Sequence, residues 1–170
     1  VGLASNLSSM FWNPAGLASI QGIGIQFGNH DWLATMKHQH IFTGISLQGA
    51  GVLGFGVISL SSPEDLVITV VKPEGTGEKF STNDLAVNLS YARSLTDKCS
   101  LGGTIKYIQQ NIWHATASTF AGDIGALFTT PFKGVRLGAS ISNYGGKMKL
   151  EGRDQKISVD PDPGSEGNVE

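Results

Sequence analysis

Between Ile23 and Asn143, seven stretches of roughly ten residues alternate apolar side chains with small or polar ones. A period of two is the repeat of a β-strand, whose successive side chains point to opposite faces. The links between the stretches read as short, long, short, long. Soluble sandwiches and lipocalin-like barrels also alternate, but they have no reason to sort their turns by length. A transmembrane β-barrel does, with strands of about 9–11 residues, tight turns on one side and longer loops on the other.

Composition narrows the classes. Charged residues make up 15% of the chain, against about 25% in soluble domains, which leaves little for a solvated surface. The net charge of -2 comes without a basic cluster, so nucleic acid is not an expected partner. The single Cys99 excludes an internal disulfide and fits poorly with a Cys-rich zinc site. No apolar run approaches the ~18 residues of a transmembrane helix. Val1-Gly2-Leu3-Ala4-Ser5 has neither the basic nor the apolar region of a signal peptide. The sequence therefore reads as a mature or truncated form.

Three segments follow. Residues 1–21 lack period-two alternation. Asn6 to Ala18 reads as a short helical turn broken at Pro14 and then a second turn, a hatch or lead-in. Residues 22–143 carry the strands, predicted at Ile23–Asn29, His38–Leu47, Val52–Leu60, Asn83–Leu95, Cys99–Asn111, Ser118–Thr130 and Val135–Asn143. The run Leu66–Val71 predicts an extra strand or hairpin in the longest link, Ser61 to Thr82, and a medium loop is expected through Trp113-His114-Ala115-Thr116. Residues 144–170, rich in Gly, Asp and Pro, read as an outer loop or truncated tail. The expected fold is all-β, an antiparallel up-and-down meander.

Mid-strand charges fall opposite the apolar row at Lys106, Asp123 and Arg136. A Lys or Arg at the lipid-facing midplane costs about 2–4 kcal/mol, so the polar row is assigned to a lumen, with Asn88 among its candidates. Lys106 and Asp123 are expected to meet across one strand pair, as a passage lining or as an ion pair filling a narrow interior. Trp32, Trp113 and Tyr144 would follow upward-running strands as an interfacial aromatic girdle. Seven strands is odd, whereas bacterial single-chain barrels are even and closed. The expectation is the N-terminal portion of a longer barrel.

Catalytic signatures are absent. Gly22-Ile23-Gly24 with Gly28 misses the dinucleotide spacing, and Gly75-Thr76-Gly77-Glu78-Lys79 lacks the phosphate-loop ending. No Gly-x-Ser-x-Gly elbow occurs. His38 and His40 share a strand face near His30, and Asp31 could add an oxygen ligand. The expected reading is loop-end and lumen-facing histidines without a metal, and no cofactor.

Phe11-Trp12-Asn13-Pro14-Ala15-Gly16-Leu17-Ala18 resembles the Asn-Pro-Ala segment near the N-terminus of FadL-like outer-membrane proteins. Asp31-Trp32-Leu33-Ala34, Pro73-Glu74-Gly75-Thr76-Gly77-Glu78, Leu89-Ser90-Tyr91-Ala92-Arg93-Ser94-Leu95-Thr96-Asp97, Gly103-Thr104-Ile105-Lys106-Tyr107-Ile108 and Leu137-Gly138-Ala139-Ser140-Ile141-Ser142-Asn143 look like the PorV/PorQ family. The resemblance covers essentially the whole chain. It implies a 14-stranded FadL-like transmembrane β-barrel, about half of it present, with a hatch around Asn13, Pro14 and Ala15. It also implies a non-enzymatic transport or type IX secretion component in the outer membrane of a Gram-negative bacterium. Its partners would be outer-membrane lipid and a hydrophobic ligand, or secreted cargo and other secretion proteins. The alternatives are a channel for long-chain fatty acids or other hydrophobic compounds, and a soluble β-barrel binding module.

Overall fold

The computed structural model describes residues 5–153. A short helix, α1 (Ser9–Trp12), and a 3-10 helix, Pro14–Ser19, precede the sheet. Ten strands follow: β1 (Ile23–Asp31), β2 (Lys37–Ser46), β3 (Val52–Ser61), β4 (Asp65–Leu66), β5 (Lys79–Phe80), β6 (Thr82–Thr96), β7 (Cys99–Ile112), β8 (Ala115–Thr129), β9 (Arg136–Gly145) and β10 (Glu151–Gly152). The long strands match the predicted ones to within a few residues at each end. All pairings are antiparallel, and β1-β2-β3-β6-β7-β8 forms a meander with β9 and β10 both along the far side of β8. The sheet is open rather than closed into a barrel. The longest link carries the separate hairpin β4–β5, which pairs Asp65–Leu66 rather than the whole apolar run up to Val71.

The links correct one expectation. At one end of the sheet they span residues 32–36, 62–81 and 113–114; at the other they span 47–51, 97–98 and 130–135. Among the described residues only one link is long, so the loops there are not sorted by length. The medium loop expected around Trp113 is a two-residue turn. Trp113 adopts the left-handed region there, at φ 52. Such turns are ordinarily marked by Asn or Gly, and Trp113-His114 carries neither signal.

The alternation itself is realised as two very different faces. Ile25, Leu89, Ile105, Phe120, Ile124 and Ile141 lie on the outward row and remain open, with Ile105 66% exposed and Ile124 68%. The hydrophobic core lies on the other side, where Leu7, Met10 and Leu17 of the N-terminal segment pack against Phe42, Val52 and Ala92 of the wall. Phe42, an aromatic residue in the small-or-polar row, is buried there with its ring centroid 4.9 Å from that of Phe11. Burying Met10 and Leu17 contributes about 1.5–3 kcal/mol each, and this anchors the segment to the inner face.

Candidate functional site

The inner face is built where the N-terminal segment meets the wall. Pro14 opens the 3-10 helix, where its missing N–H costs nothing. Asn13 holds both partners: its Oδ1 accepts from the Ala15 N–H at 3.2 Å, and its Nδ2 donates to the Ala126 carbonyl at 3.0 Å. Thr104 Oγ1 donates to the Met10 carbonyl at 3.2 Å, and Ser140 Oγ to the Trp12 carbonyl at 3.0 Å. Asn13, Pro14 and Ala15 are all buried.

The wall makes room for this contact with glycine. Gly102 and Gly125 are register partners on β7 and β8. A Cβ on Gly102 would fall 2.5 Å from the Pro14 carbonyl carbon, and one on Gly125 only 2.0 Å from Asn13 Oδ1. The small residues of the inner row are therefore the seat of the segment, a role that residue type alone does not reveal.

Beside the seat lies a buried polar group. Lys106 and Asp123 lie on neighbouring strands and meet diagonally, Lys106 Nζ standing 2.5 Å from Asp123 Oδ2 with both side chains almost wholly buried. Lys106 Nζ also donates to Asn143 Oδ1 at 3.0 Å, and the Asn143 N–H donates to Asp123 Oδ1 at 2.7 Å. The Phe11 ring lies 5.9 Å from the same ammonium, within cation–π range. Asn143 is the third member of the group. It enters because a β-bulge between Gly122 and Ile124 shifts the β8–β9 register, with Asn143 in the left-handed region at φ 59.

Asn88 is register partner to Lys106 and fully buried, and its amide has no hydrogen-bond partner among the described residues. Ser90 and Thr104 bond each other at 2.7 Å next to it. Arg136 shares the inner row but stands apart. It is exposed at the far end of the sheet, beside a polar cleft of about 200 Å³ lined by Ser19, Ser94, Asp97, Ser100 and Thr129. The four lumen candidates therefore divide into three residues brought together and one elsewhere.

The aromatic trio also divides. Trp32 and Trp113 flank strand ends on the same side of the sheet, both exposed. Tyr144 lies within β9, opposite Gly122, because that strand runs on to Gly145 instead of ending at Asn143. Asp31 pairs with Lys37 on the row opposite His30, so it is not among the clustered histidines.

The outward face carries a shallow apolar depression of about 710 Å³. Gly103 and Gly122 floor it, and Leu89, Ile105, Ile124 and Ile141 wall it. No family model, curated protein or solved structure matches the chain.

Proposed function

We propose that this chain forms wall and hatch of a FadL-like outer-membrane β-barrel of the PorV/PorQ type, acting without catalysis in transport or type IX secretion. The observation that carries the reading is the outward row. Its Ile, Leu, Phe and Tyr side chains stay exposed across the sheet, from Ile23 and Phe27 on β1 to Ile141 on β9. Soluble monomers rarely expose contiguous apolar patches beyond a few hundred Å². A row of this kind fits acyl chains, while the charged Lys106 and Asp123 stay on the face away from them.

The open sheet adds to the proposal. In lipid, each unpaired backbone group at an edge costs several kcal/mol, so β1 and β9 require further strands beside them in the membrane. The hatch around Asn13, Pro14 and Ala15 would gate a hydrophobic ligand or a cargo signal, and the links at the Trp32 end would face partners outside the cell. The site of action is the outer membrane of a Gram-negative bacterium.

Fractionation tests the reading. Recovery only with detergent, followed by co-purification with secreted cargo, is the expected result. Saturable binding of a long-chain fatty acid without cargo would move the function to the hydrophobic-compound channel. Recovery as a folded monomer in plain buffer would refute the membrane assignment and leave a soluble binding module.

A further inference from the structure

Three of the chain's four histidines converge on the inner face of the β1–β2 pair, away from the buried Lys106–Asp123 pair. His30 and His38 are register partners. His40 follows two residues along on the same face as His38, opposite Gly28. Their ring centroids are 5.6–6.0 Å apart, and one ring nitrogen from each lies within 4.8 Å of the others. We propose that His30, His38 and His40 form a binding site for a divalent transition-metal ion of the zinc class.

The donor chemistry supports this assignment. Imidazole nitrogen is the common ligand of Zn²⁺, Cu²⁺ and Ni²⁺. Three histidines with a fourth position open to water are an established zinc arrangement. A tetrahedral ion with Zn–N bonds of about 2.0–2.1 Å holds its nitrogens about 3.3 Å apart. The nitrogens lie within 4.8 Å of one another, so no separation has to close by more than about 1.5 Å, a movement available to χ1 and χ2 rotation of His30 and His38 toward the His40 ring.

A second observation concerns His40. Its Nδ1 is buried and has no hydrogen-bond partner among the described residues, an unmet polar group that a bound cation would satisfy. The ring is also held in place. It stacks on Phe42 with centroids 4.5 Å apart, and it lies over Gly28, where a Cβ would fall 2.1 Å from its Cε1. Gly28 thus opens the space that lets His40 lean toward its two neighbours. His30 is exposed and His38 half-buried, which leaves a path for an ion and a water ligand. Asp84 lies on the same ladder row two strands away, through Leu60, where it accepts from Gln110 Nε2 and is not among the clustered ligands.

The test is calorimetric titration of the full, untagged, detergent-solubilised chain with ZnCl₂. One ion per chain is expected. His38→Gln and His40→Gln should each weaken binding by more than the roughly 10–100-fold lost with a supporting contact alone. His114→Gln, at a histidine outside the cluster, should leave it unchanged. Gly28→Ala keeps all three ligands but displaces the His40 ring, so affinity should fall at least tenfold. A spectroscopic arm needs no substitution: Cu²⁺ bound to the unaltered chain should show nitrogen hyperfine structure from imidazole. Absence of saturable 1:1 binding overturns the proposal. So does Zn²⁺ affinity that is equal in the unaltered chain and in folded His38→Gln and His40→Gln variants.

Discussion

Replacing Gly102 by alanine isolates the contact between the N-terminal segment and the sheet. The new Cβ would stand 2.5 Å from the Pro14 carbonyl carbon and 2.6 Å from both Pro14 O and Ala15 N. Carbon atoms pack best at about 3.5–4.0 Å, so the segment has to retreat by about 1 Å. All three neighbours are backbone, and no rotamer change can relieve them. Overpacking of this kind costs about 1–3 kcal/mol. The strand itself gains about 0.5–1 kcal/mol from losing a mid-strand glycine. The two effects act on different equilibria, the gain on the sheet and the penalty on docking of residues 9–19. Hydrogen exchange read by mass spectrometry over those residues should therefore accelerate about 5–150-fold, the Boltzmann equivalent of that penalty. Gly103→Ala is the matched control, since its Cβ would meet only the Asp123 carbonyl oxygen at 3.5 Å on the opposite face. Equal protection of residues 9–19 in the two variants would refute the seat.

Three further outcomes are expected. Lys106→Met leaves the Asp123 carboxylate buried without its ion partner and should cost about 3–5 kcal/mol in denaturant unfolding; Lys106→Met with Asp123→Leu should cost less than the single change, and a larger loss in the double variant contradicts the pairing. Asn13→Ala removes the cap of the 3-10 helix and the bond to Ala126, so docking should weaken by about 1–2 kcal/mol, read by protease cutting within residues 9–19. Ile105→Arg on the outward row should destabilise the chain by about 2–4 kcal/mol in lipid vesicles, whereas an unchanged or raised stability there would mean that Ile105 faces water.

Strand positions and faces were legible because an apolar residue every second position leaves one consistent pairing of side chains with sides. Ile105 and Lys106 could be assigned to opposite faces from their neighbours alone. Lys106 and Asp123 could be matched because adjacent strands of a meander are bound to touch. Other features depend on geometry that periodicity does not encode. The turn at Trp113-His114 lacks the residues that normally mark one. Asn143 reaches the ion pair only through an extra residue in β9. Gly102 and Gly125 carry no chemistry of their own, and their use appears only once Pro14 and Asn13 lie against them. Asp31 adjoins the histidines in sequence, but the strand alternation turns it to the other face.

The bulge at Asn143 has a consequence for how the sheet chooses its alignment. A strand that slips by one residue sends every side chain to the wrong side, and the outer strand β9 has few inward contacts to forbid it. Asp123 holds the Asn143 amide while Lys106 holds its side-chain oxygen, so a slipped β9 would leave two buried charges without those bonds. Buried ion pairs are often poor sources of net stability but can select one arrangement over its competitors. The Lys106–Asp123 pair thus works as a keyed stop, admitting β9 at a single offset against β8.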